Sequence, residues 1–227
     1  MGKTYSIAID GPAAAGKSTV AKRVAAILNF TYIDTGAMYR AFTWAVLQRG
    51  LDPKDEAASC SIIPDVRIEL FEDGRVLCND VDVTRPIREP LVSGNVSYIA
   101  SYKDIRLALV DMQRAMAASK SVVMDGRDIG TYVLPNADVK IYQIASVETR
   151  AQRRYDENVA KGIPTSMDEV IADVRQRDYI DSHRAFAPLR PAEDSVELDT
   201  SPLGIDEVVE AILDIIHEKT GLEIPCH

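Results

Sequence analysis

Apolar residues along the chain follow two alternating spacings. Short apolar runs that are rich in strand-forming residues predict strands at 5–9, 31–33, 121–125, 139–144 and 195–199. Apolar residues at helical spacing lie between these runs and predict helices over 17–28, 37–49, 89–101, 103–118, 147–161, 166–180 and 205–219. Strands that alternate with helices indicate an α/β fold, in which helices cover both faces of a parallel sheet.

One segment, between about 62 and 90, departs from this pattern. Residues 66–70 alternate between apolar and polar, Asp73 and Gly74 form a hairpin-turn signal, and residues 75–79 and 81–83 resume the alternation. Two prolines, Pro86 and Pro90, follow the last of these runs. The segment is predicted to be a small antiparallel β insert within the parallel α/β fold.

Length and composition indicate one core domain with inserts. The chain has 227 residues, of which 46% are hydrophobic and 27% charged, so it can bury a core. No apolar run approaches the roughly 18 residues of a membrane span, and no signal peptide opens the sequence. The three cysteines, Cys60, Cys78 and Cys226, are widely spaced and fit a reducing compartment. We therefore expect a cytoplasmic protein without a membrane partner.

The net charge of -9 is concentrated near the C-terminus. Residues 193–227 hold ten of the 35 acidic residues and only one of the 26 Lys and Arg residues. The preceding 192 residues are therefore neutral, which disfavours binding to a nucleic acid polymer through a basic field. Local anion sites remain compatible with this balance.

A phosphate-binding loop follows the first predicted strand. The segment matches the pattern G-x-x-x-x-G-K-[ST] and consists of Gly11, Pro12, Ala13, Ala14, Ala15, Gly16, Lys17, Ser18 and Thr19. Glycines allow the backbone N–H groups to turn inward around phosphate, and the following helix adds its positive N-terminal end. Lys17 can reach the β- and γ-phosphates of a nucleotide, and the Ser18 hydroxyl can bind Mg²⁺. The loop predicts a nucleoside triphosphate site without defining the reaction.

The acid at the end of the predicted central strand has two interpretations. Asp125 follows an apolar run, as the acid that assists Mg²⁺ does in phosphate-loop proteins, yet it also suits a turn before Gly126. No Asn-Lys-x-Asp motif for reading guanine is present, which disfavours a GTPase switch. The chain is short for an ATP-driven motor, so a small-molecule kinase is the favoured class.

A kinase must also hold a second anionic substrate, and arginine clusters in four segments can supply the cations. They comprise Arg40, Arg127, the group Arg150, Arg153 and Arg154, and the group Arg175, Arg177 and Arg184. Any one of these runs could be the solvated face of a helix. Together they favour anion binding, because several lie near strand ends, where open α/β sheets bind ligands.

Four motifs together resemble the bacterial cytidylate kinases. They are Gly-Pro-x-x-x-Gly-Lys-Ser-Thr at 11–19, Asp-Thr-Gly-Ala-Met-Tyr-Arg at 34–40, Asp-Gly-Arg-Asp-Ile-Gly-Thr at 125–131 and Arg-x-Arg-Asp-x-x-Asp-x-x-Arg at 175–184. Their order, their spacing and the chain length agree with that family over nearly the whole sequence. The resemblance implies the parallel sheet of a P-loop NTPase, a β insert in the nucleoside-monophosphate-binding region and a short helical lid.

The resemblance implies transfer of the γ-phosphoryl group of ATP to CMP or dCMP, with Mg²⁺. It implies that the residues contacting the cytosine are Thr35, Arg106, Asp128 and Arg184. The ribose would be held by Ser97, Arg177 and Asp181. The acceptor phosphate would be bound by Arg40 and Arg127. Lys17 and Arg127 would also act in catalysis. So would Arg150, Arg153 and Arg154, which would lie in the lid and cover the transferring phosphoryl group. Ser18, and Asp125 through water, would hold Mg²⁺.

The implied organisation has three parts. The nucleotide-binding core spans 1–34, 102–147 and 163–227, the monophosphate-binding region spans 35–101, and the lid spans 148–162. A monomer is expected. Two alternatives remain at this stage: a kinase for UMP or another small acceptor, and a nucleotide-binding regulator without fast transfer.

Overall fold

The computed structural model describes residues 3–224, so Cys226 lies outside the described residues. Helices and strands alternate along most of the chain. The elements in chain order are β1 (Ser6–Asp10), α1 (Lys17–Leu28), β2 (Thr31–Asp34), α2 (Thr35–Gln48), α3 (Glu56–Ser61), β3 (Ile68–Leu70), β4 (Val76–Cys78), β5 (Val81–Asp82), α4 (Pro90–Ile99), α5 (Lys103–Ala117), β6 (Val122–Gly126), β7 (Val139–Ile144), α6 (Val147–Ala160), α7 (Met167–His183), β8 (Val196–Asp199) and α8 (Ile205–Thr220).

Five parallel strands form the central sheet in the order β2-β6-β1-β7-β8. Alternate residues of β1 point to opposite faces: Ile7 and Ile9 pack with helices α1 and α8, whereas Ala8 packs against Val110 of α5. Both faces are therefore covered by helices, which explains why the central strands β1 and β6 are almost entirely buried. The α/β class predicted from the sequence is confirmed.

A second apolar core lies between α2 and the small antiparallel sheet β3-β4-β5. Phe42 of α2 packs in a buried cluster with Ile68, Val76 and Cys78 of that sheet and with Ile99 of α4. The alternating pattern and the Asp73-Gly74 turn thus form the predicted β insert. This core is separate from the two apolar layers on the central sheet. It supports one wall of the cleft described below.

Three elements differ from the sequence prediction. Helix α3 is too short to produce a helical period, and a π-helical turn over Ile129–Val133 follows β6, where no element was predicted. Helix α7 also continues to His183, beyond the predicted end at 180, so that Asp181 lies within it. Within residues 3–224, none of the helices combines the length and apolar character needed to cross a bilayer.

The loop that joins β1 to α1 depends on two glycines with positive φ. Gly11 has φ 150° and Gly16 has φ 87°, backbone angles that residues other than glycine rarely adopt. A Cβ at Gly11 would also overlap the backbone carbonyl oxygen of Gln143 on β7. The loop therefore turns over the carboxyl edge of the sheet, where β2 and β6 also end.

We expect Gly11→Ala to destabilise the fold by about 2 kcal/mol or more, because neither the backbone angle nor the contact with Gln143 can relax easily. Gly94→Ala is the matched control: Gly94 lies in α4, and a Cβ added there would meet no described atom within 4 Å. Alanine at 94 should therefore be neutral or stabilising by up to about 1 kcal/mol. Urea unfolding of both variants measures the difference. Equal effects at the two positions would contradict the role of Gly11 in the loop.

Candidate active site

A cleft of about 720 Å³ lies beyond the carboxyl ends of β1, β2 and β6. It contains most of the residues selected from the sequence: Ala14, Ala15, Gly16, Lys17, Ser18, Thr19, Thr35, Arg40, Ser97, Arg106, Asp125, Arg127, Asp128, Arg153, Arg154, Arg177, Asp181 and Arg184. Five of the selected residues, Gly11, Pro12, Ala13, Arg150 and Arg175, do not line it. Segments separated by more than 150 positions thus meet around one space.

The phosphate loop forms the floor of this cleft and presents a buried lysine. Gly16 caps helix α1, so the positive end of the helix points into the cleft. Lys17 is only 4% exposed and its Nζ donates to the Pro12 carbonyl at 2.7 Å. Burial and the nearby Arg127 hold the pKa of Lys17 well below its usual range. The negative charge of a bound polyphosphate would offset both the burial of Lys17 and its repulsion by Arg127.

An oxygen-rich group lies beside the loop, at the end of β6. The Ser18 hydroxyl donates to Asp125 Oδ2 at 2.8 Å, and the Tyr32 hydroxyl donates to Oδ1 at 2.8 Å. Burial, together with the neighbouring Asp34, raises the pKa of Asp125. These hard oxygen donors fit Mg²⁺, which takes one or two protein oxygens and completes its shell with phosphate and water. Sequence reasoning missed Tyr32, whose contact spans 93 residues.

Across the cleft, the Asp128 carboxylate is held between two arginines. Arg106 donates to Oδ2 at 2.5 Å and Arg184 to Oδ1 at 3.1 Å, and all three side chains are at least nine-tenths buried. The same two guanidinium groups donate to the Ala100 carbonyl, and Arg106 lies 5.2 Å from the centre of the Tyr39 ring. The three charged side chains therefore have fixed orientations in a site shielded from water.

A second carboxylate, that of Asp34, lies at the N-terminal end of α2. Asp34 caps the helix by accepting from the Ala37 N–H at 2.7 Å, and it also binds Arg40 at 3.2 Å and Arg88 at 3.0 Å. Burial opposes ionisation, but the two arginines outweigh it and hold the pKa of Asp34 below its usual value. Arg88 was not among the residues selected from the sequence, because its partner Asp34 lies 54 positions away.

A third carboxylate, Asp181 on α7, pairs with Arg127 at 2.9 Å. Burial alone would raise the pKa of Asp181, but Arg127 and Arg184 outweigh burial and lower it. Arg177 lies on the same helix, and burial lowers its pKa. The buried Nε atoms of Arg177 and Arg40 have no hydrogen-bond partner within residues 3–224. Both arginines line the cleft, where guanidinium groups are suited to bind phosphate oxygens.

The three arginines of α6 have different environments. Arg150 is buried: its Nη1 donates to the Ala13 carbonyl at 3.0 Å and to Asp178 at 2.6 Å. Asp178 in turn accepts from the Ala13 N–H at 3.1 Å. Arg150 therefore supports the phosphate loop from outside the cleft.

Arg153 and Arg154 both line the cleft. Arg153 donates to the carbonyls of Ala15 at 3.1 Å and Thr200 at 2.7 Å. These two bonds fix the position of its guanidinium group in the cleft. Arg154 pairs with Glu157 of its own helix at 3.0 Å. Arg154 is thus anchored to α6, whereas Arg150 and Arg153 are anchored to the core.

A phosphate loop that faces converging guanidinium groups across one cleft defines a P-loop phosphotransferase of the nucleoside monophosphate kinase class. The family model described as cytidylate kinase matches residues 7–218 of the chain. The chain belongs to the cytidylate kinase family.

Curated relatives agree with this assignment over the full length. The chain is 52% identical to the cytidylate kinase of Anoxybacillus flavithermus, over 96% of this chain and 99% of that protein. It is 52% identical to that of Geobacillus kaustophilus and 50% identical to that of Bacillus subtilis, with 97% of this chain and 100% of each relative covered.

Solved structures that resemble the chain at low identity support the fold alone. An uncharacterised protein from Eubacterium ventriosum matches with a TM-score of 0.56 at 13% identity, over 95% of this chain and 99% of that one. A gluconokinase from Sinorhizobium meliloti matches with a TM-score of 0.50 at 13% identity, over 96% of this chain and 94% of that one.

One buried acid just outside the cleft was not selected from the sequence. Asp10, the last residue of β1, is 5% exposed and accepts the N–H groups of Ile129 at 2.8 Å and Gly130 at 2.7 Å. Burial raises the pKa of this carboxyl to about 7, although the two N–H donors act in the opposite direction. The sequence signal was an acid at a strand end, which also fits an ordinary turn.

This raised pKa predicts a pH dependence of stability. The folded protein binds the Asp10 proton more tightly than the unfolded chain, so stability is lost as pH rises from the unfolded pKa through about 7. Between pH 5 and 8, the free energy of unfolding of the natural protein should fall relative to that of Asp10→Asn by about 2 kcal/mol. Urea unfolding of both proteins between pH 5 and 8 measures this change in the free-energy difference. A difference that does not change with pH would contradict the raised pKa.

Proposed function

We propose that this protein transfers the γ-phosphoryl group of ATP to CMP or dCMP, giving ADP and CDP or dCDP, with Mg²⁺ as the metal. One observation carries the proposal: the phosphate loop and Arg40, Arg127, Arg177 and Arg184 line the same cleft. Direct transfer requires donor and acceptor phosphates to meet, and a cleft with cations on both sides lowers their mutual repulsion.

The donor nucleotide is proposed to bind along residues 11–19. Backbone N–H groups of the loop and Lys17 would contact its phosphates, and Arg153 would lie at the end of the cleft near Thr200. Ser18, and Asp125 through water, would hold Mg²⁺, which neutralises charge on the phosphates when it is bound. Lys17 and Arg127 would stabilise the charge that develops on the transferring phosphoryl group. The loose transition state of this reaction needs positioning and charge rather than a strong base.

The acceptor base is proposed to bind at Asp128. An ionised carboxylate has about four lone-pair directions, so Asp128 can accept the N4 amine of cytosine while bound to Arg106 and Arg184. The two arginines would donate to O2 and N3, and Thr35 would complete the base site. Thr35 is buried beside this site and donates to the Asp125 carbonyl at 2.6 Å.

The ribose and phosphate of the acceptor would follow toward the loop. Ser97, Arg177 and Asp181 would hold the ribose, and Arg40 and Arg127 would clamp the phosphate. Arg40 and Arg127 line the cleft together with Lys17, which supports the phosphate assignment, and Arg177 and Asp181 line the same cleft. The pair between Arg127 and Asp181 would orient both side chains before substrate binds.

Domain closure would complete the site. The proposed parts are a core of residues 1–34, 102–147 and 163–227, a monophosphate-binding region of residues 35–101 and a lid of residues 148–162. Closure excludes water, which would otherwise accept the phosphoryl group. A monomer suffices, since one chain supplies both sides of the cleft. Cys60 and Cys78 are free thiols, as suits the proposed cytoplasmic location.

Acceptor preference tests the function directly. With ATP and Mg²⁺, coupled ADP release should be fast for CMP and dCMP and at least about tenfold less efficient for UMP, AMP and GMP. Of these bases, only cytosine presents an amine, a ring-nitrogen acceptor and a carbonyl oxygen in succession along one edge, which suits Asp128 and two arginines. A preference for UMP would replace the acceptor assignment. No stimulation by any monophosphate would instead favour a nucleotide-binding regulator.

The lid arginines give a second test. Arg154→Met should lower kcat by about tenfold or more with little change in stability, because Arg154 lines the cleft and pairs within its own helix. Arg150→Met serves as the matched comparison and should lower the free energy of unfolding by about 2 kcal/mol, because it leaves Asp178 without its buried partner. Rates at saturating substrate and urea unfolding distinguish the two. The reverse pattern would contradict this division of roles.

A further inference from the structure

We propose that Asp10 is a positioning residue that holds the backbone on the C-terminal side of Asp128 and thereby sets the discrimination between acceptor bases. The proposal rests on the base-reading role proposed for Asp128. Asp10 lies outside the cleft lining, so it acts through the turn and not by touching a substrate.

The contacts assign Asp10 to that turn. Both carboxylate oxygens are used, Oδ1 by the Ile129 N–H at 2.8 Å and Oδ2 by the Gly130 N–H at 2.7 Å. These are the two peptide groups that follow Asp128, and they begin the π-helical turn. The turn then closes on the Asp128 carbonyl, which accepts from Tyr132 at 2.8 Å. The backbone of Asp128 is thus held by Asp10 from one side and by its own turn from the other.

The side chain of Asp128 is fixed by different groups. Arg106 and Arg184 hold its carboxylate, but they come from α5 and from the residue after α7, so they do not define the course of the backbone. Ile129 also packs closely against Gly126, where a Cβ would lie 2.6 Å from the Ile129 side chain. A shift of the turn would therefore move the Asp128 carboxylate relative to both arginines.

Base discrimination is sensitive to such a shift. Cytosine donates from its N4 amine, whereas uracil carries a carbonyl oxygen there, which a carboxylate repels. Both the attraction and the repulsion depend on the position of the carboxylate oxygens. Specificity is the difference between two affinities, so loosened geometry reduces it even where total activity survives.

Asp10 also precedes Gly11, so a change there could act through the phosphate loop instead. An effect on the loop would lower turnover with every acceptor by the same factor. An effect on Asp128 would change the ratio of kcat/KM for CMP to that for UMP. That ratio therefore separates the proposed role from a general structural one.

The primary variant is Asp10→Asn, which keeps the shape of the side chain but turns an amide N–H₂ toward one of the two backbone N–H groups. We expect the CMP to UMP ratio to fall by about tenfold, with KM for ATP changed by less than about threefold. Asp138→Asn is the matched control, because Asp138 accepts the Ser6 N–H at 2.9 Å at the other end of β1, away from the cleft. The control should leave the ratio unchanged.

A double-mutant cycle with Asp128→Asn completes the test. Asp128→Asn alone should lower the ratio, and Asp10→Asn added to it should lower the ratio no further. If Asp128→Asn lowers the ratio and Asp10→Asn does not, the role of Asp10 is wrong while the proposed function stands. If Asp128→Asn leaves the ratio unchanged, the base-reading assignment fails and the Asp10 proposal with it. Should Asp10→Asn not fold, Asp10→Ser, which retains one acceptor, takes its place with the same expected fall in the ratio.

Discussion

Guanidinium groups that converge in a buried cleft repel one another, and the acids placed between them make the arrangement stable. Asp34 lies between Arg40 and Arg88, Asp128 lies between Arg106 and Arg184, and Asp181 pairs with Arg127. Each acid binds its arginines in a fixed orientation, so the cations are placed before any substrate arrives. Because a buried charge is costly when its partner is lost, these pairs couple the fold to the geometry of the site.

The two sides of the cleft use charge differently. The phosphate loop offers the positive end of α1 and one side-chain cation of its own, Lys17. On the acceptor side, the cations come from helices and loops far apart in sequence. The phosphate loop itself is therefore encoded by nine contiguous residues, whereas the opposite side of the cleft requires the β insert, α5 and α7 to be correctly packed.

The fold class, the β insert and the common cleft were predictable from sequence, because each depends on a local period or a contiguous motif near a strand end. The π-helical turn was not, since the acid that stabilises it, Asp10, lies 120 positions before Gly130. Tyr32 and Arg88 were missed for the same reason: their partners are distant in sequence. Spacing grouped Arg150 with Arg153 and Arg154, but side-chain direction on α6 turns Arg150 beneath Ala13 and away from the cleft. The roles assigned to individual residues remain predictions.

The central claim is that donor and acceptor occupy one cleft together and that the phosphoryl group passes directly between them. Initial rates measured over a grid of ATP and CMP concentrations test this most directly. A ternary complex predicts double-reciprocal lines that intersect, because both substrates must be bound before transfer. Parallel lines, which are the mark of a phosphorylated enzyme intermediate that forms before CMP binds, would contradict the account.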